Sequence, residues 1–174
     1  PVDADSWTLN SRVGYEFEGN DLTGGKNFTF TWYDGNQMPP LEVSKAVGEA
    51  ANIPRSGTVV IGTDGAMTIP HGGGGMPRLF PVSKFDNAPI EQVPEGNHFN
   101  NWIDAILGKV DKPLSNFDFS GPMSEAVLLG TVALRLPGKK LLWDDSAARF
   151  TNSNEANVLA KGYDYRSAWA VKGL

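Results

Sequence analysis

The chain has no cysteine, which removes disulfides and thiolate chemistry and leaves the redox compartment unmarked. Its two histidines, His71 and His98, are too few to build a structural zinc site without thiols. Cations are outnumbered, with 15 Lys and Arg against 20 Asp and Glu and a net charge of -5. The clustered basic residues that a phosphate backbone demands are therefore missing, and nucleic acid is not an expected partner. No apolar run approaches the roughly 20 residues that cross a bilayer, so no membrane association is expected, and no charged start leads into an apolar leader-like stretch.

What is present suffices for a globular core. Hydrophobic residues make up 40% of the 174 positions, with five tryptophans and nine phenylalanines, which excludes disorder as the resting state. A chain of this length is expected to form one domain and to bury roughly 70% of the surface its unfolded form exposes.

Strand signals come first. Trp7, Leu9, Val13, Tyr15 and Phe17 alternate with Thr8, Asn10, Arg12, Gly14 and Glu16, a period of two that gives a strand one apolar and one polar face. Phe28, Phe30 and Trp32 repeat the pattern against Thr29, Thr31 and Tyr33 after Asn20-Asp21 and Gly24-Gly25, so the two runs are expected to pair. Thr58–Gly62 and Ala66–Ile69 bracket Thr63-Asp64-Gly65, and Asp-Gly favours a hairpin whose central residues take positive φ. Lys140–Trp143 reads as a short strand.

Helix signals follow. Leu41–Asn52 is modestly helical, starting after Pro39-Pro40 and stopped by Pro54, although an irregular loop fits it as well. Phe99, Trp102, Ile103, Ile106 and Leu107 recur at helical spacing, with Asn97 as cap and Gly108 as terminator. Pro122–Leu136 is apolar on nearly all sides, which requires cover from several directions and places Leu129 in the core. Leu136-Pro137-Gly138 stops it. Asn152 and Glu155 resemble a capping box for a last helix closed by Gly162. Strands followed by helices point to an α+β fold, a mostly antiparallel sheet with helices packed on one face.

Chemistry-bearing residues are sparse. His71 precedes Gly72-Gly73-Gly74-Gly75-Met76-Pro77-Arg78; a phosphate cradle leads into a helix, whereas this run enters Met-Pro, so a connecting loop or the rim of a substrate cleft fits better. His71 and Arg78 beside that loop, and His98 at a helix start, are the candidate substrate contacts. Trp7, Trp32, Trp102 and Trp143 fall on apolar faces and are expected in the core, with Trp169 freer. Adjacent Asp144 and Asp145 face opposite ways on a strand and are expected to be solvated or paired with Lys139, Lys140 or Arg149. No catalytic residue, cofactor contact or metal ligand is assigned.

The segments PVDADSWTLNSRVGYEF, TVVIGTDGAMTI, GNHFNNWIDAILGKVDKPLS and GPMSEAVLLGTVALRLPGKKLLW, followed by DDSAARFTNSNEAN, occur in the order found at the C-terminal end of bacterial oxidoreductases of the glucose-fructose oxidoreductase, inositol dehydrogenase and MocA type (Gfo/Idh/MocA), which this chain resembles along almost its whole length. The resemblance implies that residues 1–174 are the C-terminal, substrate-side and oligomerisation domain of a two-domain NAD(P)-dependent dehydrogenase. Its Rossmann half, with the G-x-G-x-x-G turn and the proton-transfer lysine of a Glu-Lys-Pro segment, would precede Pro1. The implied substrate is a sugar, cyclitol or related polyol, and NAD or NADP would be held by the other half. The implied partners are that Rossmann domain and a second copy, meeting through the polar sheet face of Thr8, Asn10, Arg12, Gly14, Glu16, Thr29, Thr31 and Tyr33. A non-enzymatic binding or assembly module reusing the domain, and an enzyme whose first half lacks the lysine, are the alternatives. The compartment, cytoplasmic or exported, is open.

Overall fold

The computed structural model describes residues 6–71, 75–89, 96–161 and 166–170. In chain order these form β1 (Ser11–Phe17), β2 (Phe28–Asp34), α1 (Leu41–Ala46), β3 (Gly57–Ile61), β4 (Ala66–Pro70), β5 (Arg78–Phe80) and α2 (Val82–Phe85), then α3 (His98–Ile106), α4 (Phe117–Arg135), β6 (Trp143–Asp144), β7 (Arg149–Phe150) and α5 (Asn154–Lys161). Short 3-10 turns lie at Asp21–Thr23, Ala50–Asn52 and Ser167–Trp169. The fold is α+β. Its strands make three small sheets, β1-β2, β3-β4-β5 and β6-β7, where the sequence suggests one larger sheet. Where the length favours one domain, the chain divides into two compact units, Pro1–Trp32 with Gly96–Leu174, and Tyr33–Glu95, each with a core of its own.

In the first unit β1 begins at Ser11 rather than Trp7. The Thr8 hydroxyl donates to the Asn10 carbonyl at 2.6 Å and accepts from its N–H at 3.3 Å, a local bond that bends the backbone away from a ladder. From Ser11 the alternation holds: Ser11 and Val13 are buried and Tyr15 half-buried, while Arg12, Gly14 and Glu16 are exposed. The apolar face packs on α4, where Gly130 leaves room for the Tyr15 phenol; a Cβ there would collide with its hydroxyl. The Tyr15 hydroxyl lies 3.5 Å from the Val127 carbonyl.

Helix α4 starts at Phe117, earlier than Pro122, because the Asn116 side chain accepts the Asp118 N–H at 3.0 Å and caps it. The helix then runs through Pro122. One side of it builds the core: Val132 and Leu136 are buried with Phe150 and Ala156, and Leu129, Leu141 and Trp143 pack against them. Leu129 is therefore half-buried instead of fully covered, and Met123, Val127 and Leu128 stay exposed. Helix α3 forms as the spacing predicts, capped by Asn97 accepting the Asn100 N–H at 3.0 Å and followed by Gly108 at φ 69°. Its stripe is not buried: Phe99 is 69% exposed, Trp102 61% and Ile106 65%. Trp7 and Trp32 are also exposed, and only Trp143 of the four tryptophans expected inside packs on the core.

Two asparagines hold the end of this unit. Asn152 does not cap α5; Ser153 does, its Oγ accepting the Ala156 N–H at 3.2 Å. Asn152 instead accepts the Leu142 N–H at 2.9 Å and donates to the Lys140 carbonyl at 2.8 Å. It thus takes the place of a strand partner, and only Trp143 and Asp144 form the ladder expected over Lys140–Trp143. Asn157 does the same for Phe150, accepting its N–H at 2.7 Å and donating to its carbonyl at 2.8 Å. Phe150 pairs with Trp143 in the antiparallel β6-β7 ladder, and both its backbone polar groups are satisfied by one side chain from α5. Gly162, the expected terminator of α5, lies outside the described residues.

The second unit centres on β3, β4 and β5, antiparallel in that order with Val59 opposite Thr68 and Ala66 opposite Phe80. One face carries Val59, Ala66, Thr68 and Phe80 and is covered by Val47, Ala46 and Ile53 from α1 and the turn after it. The β3-β4 hairpin lies where the sequence puts it, but its geometry differs. Gly62 N–H donates to the Gly65 carbonyl at 2.8 Å, so Thr63 and Asp64 are the central residues, and neither has positive φ. Gly65 is required for a different reason: a Cβ on it would strike the Phe80 carbonyl and the Phe85 ring.

Replacing Asn157 with Ala strands the N–H and carbonyl of Phe150 in a partly buried position and is expected to destabilise the chain by about 1–3 kcal/mol. Urea denaturation of the two proteins measures it; a loss under about 0.5 kcal/mol, the range of ordinary surface substitutions, would contradict the role given to this side chain.

Candidate functional site

Of the three candidate contacts, His71 and Arg78 lie in the second unit and His98 in the first. His71 continues the β3-β4 ladder, its N–H donating to the Ser56 carbonyl at 3.0 Å, and its Nε2 lies 3.0 Å from the Thr58 hydroxyl. That places it on the face of Thr58 and Ile69. Arg78 sits opposite Thr68 in β5, on the other, covered face, with its guanidinium 5.3 Å from the centre of the Phe80 ring. His71 and Arg78 thus project from opposite faces of one sheet, and the geometry accounts for each by a neighbour within the unit. Gly72–Gly74 lie outside the described residues, and Gly75 has φ 122°. His98 belongs to the first unit, at the first position of α3, its ring 4.0 Å from that of Phe99.

The carboxylates singled out by sequence organise backbone instead of facing a ligand. Asp144 accepts the Ala147 N–H at 3.0 Å and Asp145 the Ser146 N–H at 2.8 Å, shaping the β6-β7 turn through Ala148 at φ 46°. The lysines expected beside them pair elsewhere, Lys139 with Glu155 at 2.7 Å and Lys140 with Glu16 at 2.8 Å. Among the described residues no group of three or more His, Asp or Glu side chains is placed to hold a metal ion, and no helix is long and apolar enough to cross a membrane.

Among its described residues the first unit carries open grooves, of which two stand out. One, of about 420 Å³, runs between the start of β1 and the end of α4 and is lined by Asn10, Arg12, Leu136, Gly138 and Lys139 among others. The other, of about 540 Å³, is lined by Trp143, Arg149, Asn157 and Lys161 with two alanines. His98, the candidate contact of this unit, lines neither. Arg12 and Lys139 both line the first, but the Lys139 ammonium is already held by Glu155 at 2.7 Å. Arg12 and Lys139 are too far apart in sequence for any motif to join them, so local reading had no signal for this groove.

Two ionisations on β1 are shifted. Glu16 titrates below the ordinary carboxylate range because Lys140 and Asn27 donate hydrogen bonds to it and the Lys140 charge adds to them. Burial against α4 raises the Tyr15 phenol above 10.0. Compared with protein-family models, with curated proteins and with solved structures, the chain finds no match.

The Tyr15 shift fixes a pH dependence. With its folded pKa above the unfolded value, the phenol contributes stability that is whole below pH 10.0 and is lost as pH rises through the folded value. Unfolding midpoints of the wild type should fall more steeply in this alkaline window than those of Tyr15→Phe. Parallel curves for the two proteins would show that Tyr15 is not desolvated.

Proposed function

We propose that this chain is the substrate-side and oligomerisation domain of an NAD(P)-dependent oxidoreductase of the Gfo/Idh/MocA type, acting on a sugar, cyclitol or related polyol. The observation that carries the reading is the order of elements. The segments on which the sequence resemblance rests fold as strand β1, a β3-β4 hairpin, a capped amphipathic α3, most of a long apolar α4, a short strand pair and the start of a last helix α5. In this reading the dinucleotide and the proton-transfer lysine belong to a Rossmann domain, and this chain contributes shape and contact surface. The apolar stripe left open on α3 fits a domain that works inside a larger assembly. Fold-level likeness does not fix chemistry, and a non-enzymatic assembly module is the second reading. The engagement of His71 by Thr58 and of Arg78 by Phe80 within their own sheet favours that alternative.

The association surface in this reading is the exposed side of β1-β2, where Arg12, Gly14, Glu16, Thr29 and Thr31 are all open. Glu16 is already held by Lys140 and Asn27 within the chain, which leaves Arg12 as the charge on which a two-fold contact would depend. Sedimentation at several concentrations is expected to show a dimer that Arg12→Glu weakens. Calorimetry with NAD(H) and NADP(H) is expected to show no tight binding to this chain alone. A monomeric wild type would remove the oligomerisation role, and sub-micromolar cofactor binding would remove the division of labour between two domains.

A further inference from the structure

Two Asp-Gly pairs occur in the chain, and their surroundings differ in a way that bears on covalent chemistry. Strand β2 ends at Asp34, and the chain reverses through Gly35 at φ 60° and Asn36 at φ 70°, with the Gln37 N–H donating to the Asp34 carbonyl at 3.3 Å. Positive φ at two successive residues is the signature of a tight two-residue turn. The Asp34 side chain is exposed and folded back on this turn, its Oδ1 2.7 Å from the Gly35 nitrogen. That nitrogen is the one backbone atom able to close a five-membered ring onto the Asp34 carboxyl carbon, and glycine has no side chain to shield it.

The Asp64-Gly65 pair is held differently. Lys84 Nζ donates to the Asp64 carbonyl at 2.8 Å and lies 3.3 Å from its carboxylate, which ties the side chain to an ammonium. Gly65 is packed so closely under the Phe80 carbonyl and the Phe85 ring that no Cβ fits, and its carbonyl takes the Gly62 N–H. Ring closure there requires the backbone to rotate out of a clamped position.

We propose that Asp34-Gly35 is a site of spontaneous isoaspartate formation in the folded chain and that Asp64-Gly65 is protected. The Gly35 amide nitrogen bonds to the Asp34 carboxyl carbon. The amide proton and the carboxyl hydroxyl leave as one water, giving a succinimide. Adding one water back at the backbone carbonyl carbon opens the ring with the main chain routed through the former side chain. The sequence of steps is redox-neutral and returns the starting mass. Its product carries one extra methylene in the backbone and a displaced carboxylate, so the two-residue spacing of the turn and the Gln37–Asp34 bond are lost. This inference is independent of the functional reading above.

The test compares the two pairs within one protein. The full chain is aged in mildly acidic buffer, native and in denaturant, and isoaspartate is mapped on digested peptides by enzymatic methyl labelling. In the native chain, label at position 34 is expected to exceed label at position 64 several-fold. In denaturant the two should converge, since each aspartate is followed by glycine. Asp34→Glu, whose longer side chain would have to close a larger ring, should remove the native signal. Equal labelling of the two pairs in the native chain, a reversed ratio, or no isoaspartate at position 34 overturns the proposal.

Discussion

The first unit depends on how closely β1 approaches α4. Tyr15 reaches across that gap and its phenol occupies the space a side chain at position 130 would take. With Gly130 there, Val13 and Ser11 come down onto the helix and are buried. The hidden side of α4 then continues through Val132 and Leu136 into the cluster with Phe150 and Ala156. The end of the unit is tied in by bonds that replace ladders. Asn152 and Asn157 supply donors and acceptors to strands too short to satisfy themselves, and Trp143 donates its Nε1–H to Glu125 of α4 at 2.6 Å. The close strand–helix approach and these polar ties act together, because losing the approach would expose the apolar face on which Leu129, Leu141 and Trp143 converge.

The second unit is built on another economy of space. Gly65 allows Phe80 and Phe85 to close over the end of the hairpin, and Val47, Ala66 and Phe80 form a core confined to this unit. Both cores are small. Much of the remaining aromatic and aliphatic surface, above all the stripe of α3, meets solvent. A run of Phe99, Trp102, Ile103 and Ile106 along one helix exceeds the scattered apolar exposure ordinary for a protein surface.

Legibility in the sequence followed the range of the interactions. The α3 cap at Asn97, the stop at Gly108 and the β3-β4 hairpin depend on residues within a few positions of each other, and the pattern located them. The alternation of β1 was legible from Ser11 onward and failed before it, where the Thr8 hydroxyl competes for Asn10. Hairpin chemistry misled at Gly65, whose role is a close approach by Phe80 and Phe85 and not a positive φ. Capping was placed one residue early, because Asn152 and Ser153 both suit a helix start and only the contacts with Lys140 and Leu142 separate them. Periodicity also placed the α3 stripe and three tryptophans in a core, since it reports which residues share a face and not whether anything covers it. The candidate site was least legible: His71 and Arg78 share a loop yet point to opposite faces, and the groove at Arg12 and Lys139 joins segments remote in sequence.

Two glycines of α4 test the central claim against each other. Gly121 has open space where a Cβ would stand, whereas Gly130 faces the Tyr15 hydroxyl. Helix propensity favours alanine over glycine by about 0.5–1 kcal/mol, a gain offset at Gly121 because the ring of Pro122 crowds a helical Cβ on the residue before it. Equilibrium denaturation of Gly121→Ala and Gly130→Ala is expected to show the first little changed and the second clearly destabilised, with part of the loss recovered when Tyr15→Phe is added. A Gly130→Ala chain as stable as Gly121→Ala, or a loss that Tyr15→Phe does not recover, would show that β1 does not rest on α4 at Gly130 and would contradict the account.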